Sequence, residues 1–333
     1  MFKPGESWYS GAHIDGRLFR MKQLNQKRQI GAIGLFGVLV LVLLPAAVFA
    51  QGSVRHCSGL ITESQKYAEF QVTTYRSQEG DSACLDIRQN GKMVYSHSDD
   101  EVVKFVIGND INRGLGSEKE EGDYHPPAIP IGTDITGLGV PNLIVSTWSG
   151  GAHCCFAFEV FELGPRVRLV ATIDAEHSDY ARFEDVNHDG KYEFVGWDYA
   201  FAYWHTSFNN SPAPRIVLRF DGTKYVLATD LMRKPAPSAG ELRKTVDEIR
   251  DDDWQQNYPP PQLWGAMLDL IYTGNPDAAW KFASDAWVPG HVSKQRFLQG
   301  FCGRLANSQY FEQLKPTITN APCEFDPKNG GGK

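Results

Sequence analysis

Between residues 66 and 228 apolar and polar residues alternate in short runs; after residue 235 the apolar ones recur every three or four positions. The first pattern predicts strands at 69–75, 102–107, 142–147, 156–163, 167–173, 192–197, 216–220 and 224–227. Asn90-Gly91, Gly164-Pro165 and Asp221-Gly222 separate such runs and predict tight hairpins. Residues 111–130, rich in Gly, Glu and Pro, predict a long surface loop. The second pattern predicts helices, carrying Leu242, Val246 and Ile249, then Leu263, Met267 and Ile271, on single faces. Asn275-Pro276 opens a third with Trp280, Ala283 and Trp287, and Ser293 opens a fourth with Phe297, Phe301 and Leu305. The expectation is an α+β chain. A mainly antiparallel β domain occupies 51–235, and a small all-α domain occupies 236–323 beyond the Pro235-Ala-Pro237-Ser238 linker. A disordered tail occupies 324–333.

Residues 30–50 form an uncharged apolar run behind Lys22, Lys27 and Arg28, ending in Pro45 and Val48-Phe49-Ala50. Small residues three and one positions before Gln51 predict a cleaved export signal, with Met21 as an alternative start; an uncleaved run would instead anchor the chain in a membrane. The expected location is therefore periplasmic or secreted. Beyond residue 50 the chain carries 27 basic against 38 acidic residues, a net charge of −11. That balance argues against nucleic acid and anionic membrane surfaces as partners, since both select a basic face. The partner expected is a protein or a glycan.

All six cysteines, Cys57, Cys84, Cys154, Cys155, Cys302 and Cys323, lie in the exported part and predict disulfides. Cys302 and Cys323 are the two in the helical part, so they are expected to pair. Cys154 and Cys155 are expected to pair with each other or with Cys57 and Cys84. The stretch from Ser149 through Gly150-Gly151-Ala152-His153 to Cys155 has a second reading, a soft-metal or thiol site, but lacks the ligand spacing of a zinc centre.

The segment Asp185-Val-Asn187-His188-Asp189-Gly190-Lys191-Tyr192-Glu193 sets side-chain oxygens at positions 1, 3, 5 and 9 and glycine at 6. Asp185, Asn187, Asp189 and Glu193, with the Lys191 carbonyl, thus predict one calcium site. Position 12 is Gly196 rather than a bidentate glutamate, so a dissociation constant of about 10⁻⁵–10⁻³ M is expected. The bland alternative is a turn whose Asx side chains bond their own backbone. An offset of 51 residues aligns Asp134-Ile-Thr136-Gly137-Leu138 and Asn142 with this loop. That copy has Leu138 at position 5 and Asn142 at position 9, so it is expected to keep the loop shape without the ion. Loop–strand units near 134–173 and 185–228 have the spacing of propeller blades, in an incomplete or small propeller. These units resemble the FG-GAP or VCBS type of repeat, the calcium-loop blade of integrin-α-like propellers and exported bacterial proteins. The resemblance covers residues 134–228 and implies a β-propeller-like scaffold stabilised by calcium.

Trp197, Tyr199, Phe201, Tyr203 and His205 read either as core or as a surface that stacks on sugar rings. Nucleophile-elbow, zincin, phosphate-loop and dinucleotide motifs do not occur. The function expected is a calcium-stabilised binding or structural module of the cell envelope. The alternative is an exported hydrolase with a structural calcium site.

Overall fold

The computed structural model describes residues 57–110, 126–151, 154–252, 254 and 258–331. The expected export signal, most of the expected 111–130 loop, and Ala152 and His153 lie outside them. Twelve strands form three four-stranded antiparallel sheets, each strand hydrogen-bonded to its chain neighbour. The first sheet holds β1 (Leu60–Tyr67), β2 (Phe70–Arg76), β3 (Ala83–Gln89) and β4 (Lys92–Asp99). The second holds β5 (Lys104–Ile107), β6 (Asn142–Gly151), β7 (Cys154–Leu163) and β8 (Val167–Glu176). The third holds β9 (Arg182–Glu184), β10 (Glu193–Trp197), β11 (Arg215–Phe220) and β12 (Tyr225–Leu227). The α+β class follows from these sheets and the helices after them.

The second sheet is central. Its odd-numbered Leu143, Val145, Phe161 and Leu163 join Phe70, Val72, Leu85 and Ile87 of the first sheet in one apolar cluster. Its even-numbered Ile144, Phe156, Phe158 and Val160 face the other way, into the larger cluster. There Phe158 meets Phe183 and Phe194 of the third sheet edge-on, at 5.8 and 5.4 Å between ring centres. With both faces covered, β6 and β7 read as near-continuous apolar runs. Between the first two sheets, His97 Nδ1 lies 3.0 Å from the buried Glu159 carboxylate, which raises the His97 pKa.

The helices are α1 (Thr229–Met232), α2 (Ala239–Asp251), α3 (Pro261–Tyr272), α4 (Pro276–Asp285), α5 (Lys294–Leu305) and α6 (Phe311–Leu314). Ser238 and Glu241 close a capping box at the start of α2. Ser293 caps α5, whereas Asn275 makes no cap bond and donates instead to the Lys234 carbonyl at 3.1 Å. The period changes at Pro235, but the larger cluster runs on from Ile216, Val217 and Leu218 of β11 to Leu263, Trp264 and Met267 of α3. Leu227 N, in the last strand, donates to Gln313 Oε1 at 2.7 Å.

Three disulfides are formed: Cys57–Cys84, Cys154–Cys155 and Cys302–Cys323. The last closes a 21-residue separation, worth about 3 kcal/mol if it acts through the unfolded chain. Residues 324–331, expected to be disordered, instead lie along α5. A Cβ at Gly303 would stand 2.4 Å from Gly330 N, so glycine there lets the two backbones touch. Gly330 O accepts from Trp204 Nε1 at 3.1 Å.

Candidate functional site

The Asp185 loop is closed by its own amides. Asp185 accepts from Asp189 N and Gly190 N at 3.0 Å each, and Asp189 Oδ1 accepts from Lys191 N at 2.9 Å. Asn187 accepts from Asp189 N at 3.1 Å and donates to Asp189 Oδ2 at 3.1 Å. His188 and Gly190 take φ of 60° and 85°, which turn the chain sharply. The Lys191 amide, then Asn187, holds the Asp189 pKa below its ordinary value. Glu193 is almost fully buried; its Oε2 accepts from Val186 N at 3.1 Å, while its Oε1 has no hydrogen bond and lies 3.6 Å from Arg219 Nε.

This arrangement is the self-bonded turn, with a donor set that suits a hard cation. Among the described residues, the one trio of His, Cys, Asp or Glu whose ligating atoms lie within 4.8 Å of one another is Cys57, Cys84 and Asp86. Those two cysteines are bonded to each other, which removes them as metal ligands. An ion at the Asp185 loop would be held by Asp185, Asn187, Asp189 and the Lys191 carbonyl. Glu193 already faces a guanidinium and serves better as the loop's anchor.

The Asp134 loop has the same plan with a neutral anchor. Asp134 accepts from Gly137 N, Leu138 N and Gly139 N at 2.8, 3.2 and 2.7 Å. Asn142, at the position of Glu193, accepts from Ile135 N and Thr136 N at 2.9 and 3.1 Å. The two loops are neighbours: Tyr192 N donates to Ile135 O at 3.2 Å, and Lys191 carbons would lie 2.8 Å from a Cβ at Gly137.

The aromatic stretch is not a strand beyond Trp197. It turns, with Tyr203 and His205 at φ of 60° and 54°. Phe201 and Trp204 enter the core, and Tyr203 stays 53% exposed. His205 stacks on Tyr258 at 3.9 Å between ring centres, and clefts of about 680 and 700 Å³ share this pair. At the head of the stretch, Asp198 is buried; its Oδ2 accepts from the Tyr272 and Ser308 hydroxyls, and its Oδ1 from Ala200 N. Burial raises its pKa.

A further cleft of about 510 Å³ lies between the start of β11 and helices α1, α2, α3 and α4. Met232, Leu242, Leu270 and Phe282 give it apolar walls, and Tyr272 joins it to the Asp198 network. Arg215, Lys234 and Asp269 bring charge to it. Arg215 is half-buried, which lowers its pKa. No local motif marks this site, because its residues come from five separate elements.

Compared with protein-family models, with curated proteins and with solved structures, the chain gives no match in any of the three.

Proposed function

We propose that the protein is an exported, calcium-stabilised binding protein that takes a small apolar or amphiphilic ligand in the cleft between β11 and α2–α3. The observation that carries this reading is the cleft itself: a concave, largely apolar site with a few charged groups, at the junction of sheet and helices. The volume of about 510 Å³ falls in the range of small-molecule sites. The deeply buried carboxylate of Asp198 is occupied by two hydroxyls and an amide, so it holds elements together rather than meeting a substrate. Three disulfides fit an oxidising compartment, and among the described residues no helix is long and apolar enough to cross a membrane.

In this reading calcium is structural. It would bridge Asp185, Asn187 and Asp189 and stiffen the loop that leads into β10, an inner strand paired with the β11 that starts the cleft. The cleft is tested with Nile red, a neutral apolar dye. Its fluorescence should rise on the folded protein, and Leu242→Trp, which fills the cleft, should remove most of the rise. An unchanged signal in a Leu242→Trp protein that melts as the parent does would overturn the assignment.

A further inference from the structure

We infer that the ligand of this cleft is an amphiphile with a single carboxylate head, seated on Arg215, and an apolar tail among Met232, Leu242, Leu270 and Phe282; this rests on the cleft being the binding site. Arg215 opens β11, and its guanidinium has no hydrogen-bond or ion-pair partner among the described residues. None of its nitrogens is sealed from solvent, so they remain open to the cleft.

Each of the other charges in and around the cleft has a neighbour that acts on it. Glu241 accepts from Ser238 N at 2.7 Å in the capping box. Asp269 lies within the field of Lys234, which opposes the rise that burial gives its pKa. Arg182, which repels Arg215, is itself held by Glu184 at 2.8 Å. Arg215 is the half-buried cation of the cleft whose guanidinium no hydrogen bond or ion pair holds, although Glu184 also attracts it. A half-buried cation without a partner is costly, and burial lowers its pKa accordingly. The planar fork of a guanidinium matches a carboxylate through two parallel hydrogen bonds. A carboxylate in the cleft would therefore supply what the fold omits, and the walls would take the hydrocarbon.

Three ligands with one tail separate head from chain: dodecanoate, dodecanol and dodecyltrimethylammonium, titrated calorimetrically below their micelle concentrations into the full chain. Dodecanoate should bind at least tenfold more tightly than dodecanol, with the ammonium weakest. Arg215→Gln should bring dodecanoate down to the affinity of dodecanol and leave dodecanol unchanged. Arg215→Lys should keep part of the preference. Leu242→Trp should weaken all three. If the three bind the unmutated protein equally, the carboxylate assignment is overturned while the cleft stands as a binding site; that comparison needs no variant to fold. If none binds a cooperatively melting protein, the binding-site reading and the head-group assignment both fall.

Discussion

The Asp134 and Asp185 loops have the same backbone task and solve it with different chemistry. Each begins with an aspartate that collects amides from the turn, and each ends with a buried side chain that accepts an amide from the residue after that aspartate. In the first loop that side chain is Asn142, neutral, with its oxygen shared between Ile135 N and Thr136 N and its nitrogen donating to Phe161 O. In the second it is Glu193, charged, with one oxygen on Val186 N and the other facing Arg219. A neutral amide can finish such a loop alone. A buried carboxylate requires a cation near it, here a guanidinium. The two loops thus share a shape, and charge separates their buried anchors.

The sharpest break would come from the buried anchor of the first loop. Asn142→Ala strands two amides and a carbonyl, so chemical denaturation should show a loss of about 3 kcal/mol. Glu193→Gln keeps the acceptor for Val186 N, and its cost should stay below about 1 kcal/mol. An equal loss from Glu193→Gln would mean that its charge beside Arg219, and not only its acceptor for Val186 N, holds the loop.

Next come the glycines. Gly137 has φ of 72°, and a methyl there would press into Lys191, whereas Gly190 at 85° opens onto empty space. Gly137→Ala should cost about 2 kcal/mol and Gly190→Ala about 1 kcal/mol. Adding Lys191→Ala should recover part of the Gly137→Ala loss and none of the other. Recovery in neither would remove the contact between loops as the cause.

The calcium effect is smaller. At ~1 mM free calcium and a dissociation constant near 10⁻⁴ M, the linkage contributes about 1.4 kcal/mol. Melting temperature should therefore rise a few degrees over that in chelator. Asp189→Ala should abolish the rise; Asp134→Ala should lower stability yet leave the rise intact. Identical melting of the unmutated protein with calcium and with chelator would falsify the ion assignment.

The smallest effect is in pH. The pKa of Asp189 is depressed from 3.8 in the folded protein. Its contribution is therefore present above 3.8 and fades as pH falls through the lower, folded value. Carboxyl-carbon NMR titration should place its midpoint below that of an Asp in the urea-unfolded chain. A midpoint at or above the unfolded value would contradict the hydrogen bonds drawn to it.

Much of this architecture was legible in residues close together in the chain. The two loops, the hairpin turns, the helix start at Ser293 and the apolar faces of α2–α5 all rest on local patterns. Strand β1 was not legible, because Glu63, Ser64, Gln65 and Lys66 interrupt any alternation. It pairs with β2 partly through hydroxyls, Thr62 with Thr74 and Ser64 with Thr73. The order of the tail was also hidden: glycines read as disorder, although Gly303 and Gly330 let two backbones meet. The cleft and the Asp198 network were the least visible. Asp198 meets partners 74 and 110 residues away, and no spacing rule announces such contacts.

That separation bears on how the chain is made. Each sheet is a meander of consecutive strands, so each can pair as soon as its own four strands have emerged, with contacts that are short-range in sequence. Asp198 differs. Until Tyr272 and then Ser308 have emerged, this carboxylate lacks its two hydroxyl donors and stays hydrated. The third sheet therefore waits for the last part of the chain before its end can be sealed. A nascent chain stopped between 228 and 308 would hold two finished sheets and one open to water, a state suited to capture by a holding chaperone.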